Sequence, residues 1–282
     1  MSTNPPIVPS KKRKRGDITV LSVNVQGTDP DDLSRAIKKM RPDIISLQEA
    51  PKGNHLLYKT LQKTLTDLNN DSTSNTDFEF SMPEIVPEFP PGAFFVKPTV
   101  GVYPDQSVKK NYAIIYNKKK LKQRKKPKLL DYGKDKNRKK ELLRVKTSFD
   151  GTSLGFGARP PLGMEFETTT DQKRIGVFTW HAPTINDPQH NRAMNFFEQS
   201  EVVETSMQSN HMTILCGDFN DQLNGHFLGS SGFSEGISHK FDHVIAHNAS
   251  SSQDLLTVYP TEMGSLHTST QDHFGMGCEF NF

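Results

Sequence analysis

Short apolar runs recur along the chain, and each opens or closes on a polar residue with chemistry to offer. VLSVNVQG closes on Asn24, DIISLQEA on Glu49, RIGVFTWHAP on His181, and MTILCGDFND on Asp218 and Asn220. FDHVIAH carries Asp242, and STQDHFGMGCEF opens with Asp272 and His273. Runs of this length, rich in β-branched residues, predict strands. One such ending is ordinary. Six in one chain predict strands of a common core that deliver an acid-rich, histidine-containing site to one rim.

Between the runs lie helix signals. After a strand at 17–25, Asp29 reads as a cap and Pro30 as a first-turn residue. Leu33, Ile37 and Met40 form one stripe and Pro42 is a stop. A second strand follows at 43–48. Leu57, Leu61, Leu65 and Leu68 recur at helical spacing, which predicts a helix over 54–68. Residues 69–77 read as a polar loop, the Pro-rich 83–104 as irregular, and NYAIIYN as a strand. ELLRVKTSF, LGMEFETT and RIGVFTW alternate as strands do, and Asp187-Pro188 starts a helix of about twenty residues. MTILC, FDHVIAH and HFGMGCEF are the last strong strands. There is no internal repeat. Strand–helix units separated by antiparallel-looking runs favour an α/β two-sheet sandwich over a parallel doubly wound fold.

The length of 282 residues suits one large domain, and a hydrophobic content of 33% is lean but sufficient for its core. Charge changes the picture more. The formal net charge of +3 conceals a segment, 109–146, with 17 Lys and Arg against 3 Asp and Glu. Lys11, Lys12, Arg13, Lys14 and Arg15 add a second basic run, so the remainder is acidic. This asymmetry points to a polyanionic partner for the basic segments and a metal-binding cleft in the acidic body. Residues 1–16 read as a disordered basic tail. Residues 17–282 read as one domain in which 118–140, too charged for core, is a hairpin or an insertion. Cys216 and Cys278 sit in apolar runs without metal-ligand spacing and read as buried free thiols. No apolar stretch approaches the roughly 20 residues that cross a bilayer, and the first residues lack the apolar core of a secretory signal.

Each candidate has its own chemistry. A carboxylate at a strand end, such as Glu49, suits Mg²⁺, which takes oxygen ligands and one or two carboxylates with water completing the shell; the plainer alternative is a turn cap. In GDFND, Gly217 allows a sharp turn, and alternation points Asp218 and Asn220 to one side. Asp218 would orient or deprotonate a water and Asn220 would hold a phosphate oxygen or the metal, unless the segment is only an Asx turn. Asp272 and His273 pair a carboxylate ligand with an imidazole. Asp242 would accept a hydrogen bond from His273 and fix its tautomer, or be a satisfied buried acid. His181 would donate to a leaving oxygen or a phosphate. His55, His190, His211, His226, His239, His243, His247 and His267 read as surface or packing residues, and Trp180 as a core anchor.

These residues, in this order, resemble the endonuclease/exonuclease/phosphatase superfamily of deoxyribonuclease-like metal phosphodiesterases, over roughly 17–282. Within it, NVQG, LQEAPKG and ARPPLGMEF (158–166) are similar to segments of the catalytic subunit of cytolethal distending toxins. The resemblance implies a four-layer α/β/β/α sandwich of two mixed sheets flanked by helices, with the site on the sheet rim. It implies metal-dependent DNA cleavage with Mg²⁺, or Mn²⁺ or Ca²⁺ in its place, and it puts Arg159 on the family's phosphate-binding arginine. Glu49 and Asp272 would then hold the metal. His181, Asp218, Asp242 and His273 would carry the catalysis, and Asn24, Arg159 and Asn220 would bind phosphate. Departures are Gln271 where the family has Ser, the length of the basic insertion, and the acid partner of His181, for which Glu79, Glu84 and Glu88 compete.

The same site chemistry cuts DNA, RNA or a phosphoinositide. The basic block favours a nucleic-acid backbone, because each cation that neutralises a phosphate releases counterions; it reads no bases. A lipid substrate would call for an exposed apolar loop, for which GAFF (92–95) is the candidate. PSKKRKRG resembles a nuclear localisation signal, so the expectation is an endonuclease acting in a nucleus, with an import receptor engaging Lys11–Arg15.

Overall fold

The computed structural model describes residues 17–26, 28–50, 56–71, 93–96, 111–129, 161–185, 190–223, 226–227, 232–239, 241–249, 251–257 and 275–281. The first part of the chain runs β1 (Ile18–Asn24), α1 (Pro30–Met40), β2 (Ile44–Ala50), α2 (Leu56–Asn70), β3 (Ala93–Val96), β4 (Asn111–Tyr116), β5 (Leu121–Leu129) and β6 (Leu162–Thr168). It continues through β7 (Arg174–His181), α3 (His190–Glu198), α4 (Glu201–Ser209), β8 (Met212–Asp218), β9 (Phe233–His239), β10 (Asp242–His247), β11 (Ser251–Thr257) and β12 (Met276–Asn281).

The strands form two six-stranded sheets, ordered β11-β12-β1-β2-β4-β3 and β5-β6-β7-β8-β10-β9. β1 pairs with β2 in parallel, as β7 does with β8, and the other pairings are antiparallel. Helices cover the outer faces, so the expected α/β/β/α sandwich of mixed sheets is the observed fold.

Alternation along the strands builds the layers. Leu21, Val23, Ile45 and Leu47 face outward, where they pack with Leu33 and Ile37 of α1 and Leu57, Leu61 and Leu65 of α2. The intervening positions face the other sheet. Ile18, Val20 and Ile44 meet Ile175, Val177, Met212, Ile214 and Phe166 in the core between the sheets. Each such side chain contributes roughly 1.5–3 kcal/mol on burial. On the second sheet's outer face, Phe178, Trp180, Leu215 and Ile245 pack with Met194, Phe197 and Val203 of α3 and α4. Trp180 is fully buried, its ring edge-on to Phe197 at 5.0 Å, and is the expected anchor.

Helix ends follow their local chemistry. The Asp29 side chain accepts from the Asp31 N–H, Pro30 enters the first turn, and Arg41 closes α1 in the left-handed conformation before Pro42. The expected twenty-residue helix from Asp187 is instead two helices of 9 residues each. Ser200 has extended backbone and its hydroxyl accepts from the Val203 N–H, so it caps a new helix rather than continuing the old one. GAFF is also corrected: Ala93–Val96 is a strand hydrogen-bonded to β4 at the sheet edge, not a loop. The basic run at 118–129 is a turn and the edge strand β5. Arg124 and Lys125 pair with Glu167 and Glu165 of β6, and unpaired charge on such an edge discourages strand addition. Residues 130–140 and 141–149, like the tail 1–16, lie outside the described residues. Among the described residues no helix is long and apolar enough to cross a membrane.

Both cysteines are buried and free. Burial pushes the Cys216 thiol up to about 11, against hydrogen bonds from Ser46, Thr179 and Ser22 that act the other way. At pH 8 the thiolate is therefore scarce as well as inaccessible. Ellman's reagent is expected to find no thiol in the native protein and two after denaturation. Rapid labelling of Cys216 in the folded state would contradict this packing.

Candidate active site

The side chains that face the other sheet change character towards one rim. Along β1 they run Ile18, Val20, Ser22, Asn24; along β2, Ile44, Ser46, Gln48. Along β7 they run Ile175, Val177, Thr179, His181, and along β8, Met212, Ile214, Cys216, Asp218. The apolar core thus grades into a polar layer and ends in the candidate residues. In the middle layer the Ser46 hydroxyl donates to Thr179 Oγ1 at 2.5 Å, and the Gln48 amide contacts the Ser22, Ser46 and Thr179 hydroxyls at 3.2, 2.9 and 2.9 Å. Such a buried network fixes the two sheets in register only when its members pair with one another.

At the rim, pairing sets the order of residues. His181 lies opposite Asp218 in the β7–β8 pair, and Asp218 lies opposite Asp242 in the β8–β10 pair. The three therefore form a row across adjacent strand ends. Two buried carboxylates in directly opposed positions repel, so the row calls for positive charge. The His181 ring stands on one side of it: its Nε2 lies 3.4 Å from Asp218 Oδ2, and its Nδ1 lies 3.4 Å from Glu49 Oε1. These are charge-pairing distances, longer than a normal hydrogen bond.

Glu49 reaches this position through a bulge. Leu47 pairs with Ala113 and Ala50 with Asn111, so β2 spends one more residue than β4 over the same span. Glu49 takes up the excess with φ 55. Bulges of this kind re-aim side chains beside active sites. Glu49 is thus inside β2, not beyond its end.

The two oxygens of Asp218 divide the work. Oδ1 accepts from the Asn220 backbone N–H at 2.9 Å, and Oδ2 accepts from Asn24 Nδ2 at 3.0 Å. The first contact is an Asx turn, the plainer of the two expectations for GDFND. That turn holds Asn220 at φ 52, and Asn220 Nδ2 donates to the Ala182 carbonyl at 3.0 Å. Asn24 links the sheets, since it sits on β1 while Asp218 sits on β8. Asp242 is buried at the start of β10. Arg159, Asp272 and His273 lie outside the described residues, as do Glu79, Glu84 and Glu88. Glu49 and Asp218 are the acids that flank His181 among the described residues.

Three contributors carry no sequence signal of their own. The Tyr112 hydroxyl on β4 accepts from the His181 backbone N–H at 3.1 Å, across the sheets. His190 and His243, read from sequence as surface or packing residues, are almost fully buried and both contact Asp221. Only an i, i+3 or period-2 signal links residues in sequence, and these contacts span 22 to 69 positions.

A two-sheet sandwich that collects a histidine, three carboxylates and two carboxamides at one rim defines a class of hydrolase scaffold. The chain belongs to the Endonuclease/Exonuclease/phosphatase family, whose model matches residues 21–273. It is therefore an enzyme of a family that hydrolyses phosphoester bonds. A comparison with curated protein sequences gave no match. Solved structures share the fold at low identity. Truncated Caenorhabditis elegans TDP2 is 12% identical with a TM-score of 0.57, covering 94% of this chain and 98% of that one. The human Nocturnin catalytic domain with bound sulfate anion is 14% identical with a TM-score of 0.58, covering 95% and 94%. D. rerio TDP2 complexed with single strand DNA product is 13% identical with a TM-score of 0.51, covering 94% and 99%.

Proposed function

We propose that the protein is a divalent-metal-dependent endonuclease that cuts the DNA backbone with little sequence preference. The observation that carries this reading is the His181 ring set between Glu49 and Asp218, 3.4 Å from each, at the rim of a phosphoesterase fold. The imidazole gives its proton to the leaving oxygen as the P–O ester bond breaks, and the two carboxylates balance its charge. Asp218 orients the attacking water, and Asn24 holds the Asp218 oxygen that faces the ring. Asp242 and His273 form the second acid–imidazole pair, and Arg159 and Asn220 bind phosphate oxygens.

The donors at the rim are carboxylate and carboxamide oxygens, which fit a hard cation such as Mg²⁺. Glu49 and Asp272 would hold it. Among the described residues no three His, Cys, Asp or Glu form a metal cage, and Asp272 lies outside them. When bound, such an ion supplies neutralising charge at the scissile phosphate.

DNA is favoured by three supports. The basic run from 109 to 146 suits a phosphate backbone. One structure of similar fold is a TDP2 complexed with single strand DNA product. The NVQG, LQEAPKG and ARPPLGMEF segments add a likeness to genotoxin nucleases. With Lys11–Arg15 as an import signal, the place of action is a nucleus.

The test is nicking of supercoiled plasmid with Mg²⁺, with and without EDTA, beside a His181→Ala/His273→Ala variant. Metal-dependent nicking that the variant loses is expected. Folded protein that leaves plasmid intact but cuts RNA, or releases phosphate from phosphoinositide vesicles, would overturn the DNA assignment.

A further inference from the structure

Two buried histidines outside the proposed machinery converge on one residue. His190 opens α3 and is 1% exposed. Its Nδ1 lies 2.7 Å from the Pro183 carbonyl and its Nε2 lies 3.0 Å from Asp221 Oδ2. His243, on β10 and equally buried, places Nε2 2.6 Å from the Asp221 carbonyl. Pro183 lies two residues after His181, and Asp221 directly follows Asn220.

His190 bridges two acceptors on separate segments, a backbone carbonyl 7 positions before it and a carboxylate 31 positions after it. The loop it grips is strained, with Asn220 and Leu223 at φ 52 and 54, and strained backbone persists only where its surroundings over-determine it.

We infer that His190 is a positioning residue: with His243 it clamps Asp221, so that the loop after His181 and the loop bearing Asp218 and Asn220 are held as one unit. The clamp rests on the reading of those residues as the catalytic centre. Neither histidine touches the reacting atoms. They act by fixing the separation between the proton donor and the residue that orients water, where a misplacement of about 1 Å costs as much as 10²-fold in rate.

The test has two arms. In plasmid nicking with Mg²⁺, His190→Ala and Asp221→Ala are expected to lower kcat by about 10- to 100-fold with KM within about twofold. Asp221→Asn, whose carboxamide oxygen still accepts from His190, is expected to restore most of the rate. The double variant His190→Ala/Asp221→Ala should lose no more than either single one. In the second arm, ¹⁵N-histidine spectra of the full chain are expected to show the His181 ring signals displaced by His190→Ala. A His181 signal unmoved by His190→Ala, or full kcat in that variant, would overturn the clamp. If the wild type cleaves no phosphoester substrate, the nuclease reading fails while the spectra still decide the clamp.

Discussion

His181→Ala is expected to lower phosphodiester cleavage by about 10²–10⁴-fold, the usual worth of a positioned acid or base. The ring lies between the Glu49 and Asp218 carboxylates, 3.4 Å from each. Its replacement removes the proposed proton carrier and the imidazole that separates two acids. His181→Gln separates these roles. The carboxamide still donates a hydrogen bond but carries no transferable proton, so this variant should be nearly as inactive as His181→Ala. Single-turnover nicking at saturating enzyme measures the chemical step directly. Recovery of near-normal rates with Gln would leave His181 as a mere hydrogen-bond donor and sink its assignment as the acid.

Gly217→Ala is expected to have the largest effect on stability. The residue has φ 141, where L side chains are rarely found, and an added Cβ would lie 1.9 Å from the Trp180 carbonyl oxygen. That oxygen belongs to the β7 backbone, which cannot yield without moving the adjacent His181. Gly217 also stands opposite Trp180 in the parallel β7–β8 pair, in the middle of the second sheet. Overpacking and backbone strain thus coincide, and the loss should reach about 4 kcal/mol or more. For a chain of this size that is a fall in Tm on the order of 10 °C, or failure to accumulate folded protein. Thermal unfolding followed by circular dichroism reads it. An unchanged Tm would mean that β7 and β8 approach less closely than described.

Much of this was legible in the sequence because strands repeat every second residue. Asn24, His181 and Asp218 each continue an alternation that starts in apolar residues, so their common direction follows from spacing alone. The α1 stripe was readable from the helix repeat of about 3.6 residues instead. Other parts depend on partners that spacing does not encode. The bulge that turns Glu49 inward is a mismatch between β2 and β4, visible only once they pair. β9 and β11, with the sequences FSEGISH and SSQDLLT, take their strand form from neighbours rather than from apolar alternation. The break at Ser200 did have a signal: a serine followed by Glu201 and Glu204 is an N-terminal signature inside an otherwise helical stretch. His190 and His243 had none, because Asp221 is brought to them by the sheet and not by the chain.

The place of β12 has a consequence for how the protein folds. Residues 276–281 form an interior strand, seated between β11 and β1, with Phe280 opposite Ile18. The sheet that carries Asn24 and Glu49 is therefore completed on this side of β1 by a strand from far along the chain. Contacts of such long sequence separation form slowly. Until they form, the edge of β1 is open. Folding of this sheet thus depends on the two ends of the domain meeting: a fragment that stops short of β12 should leave β1 unpaired on one side.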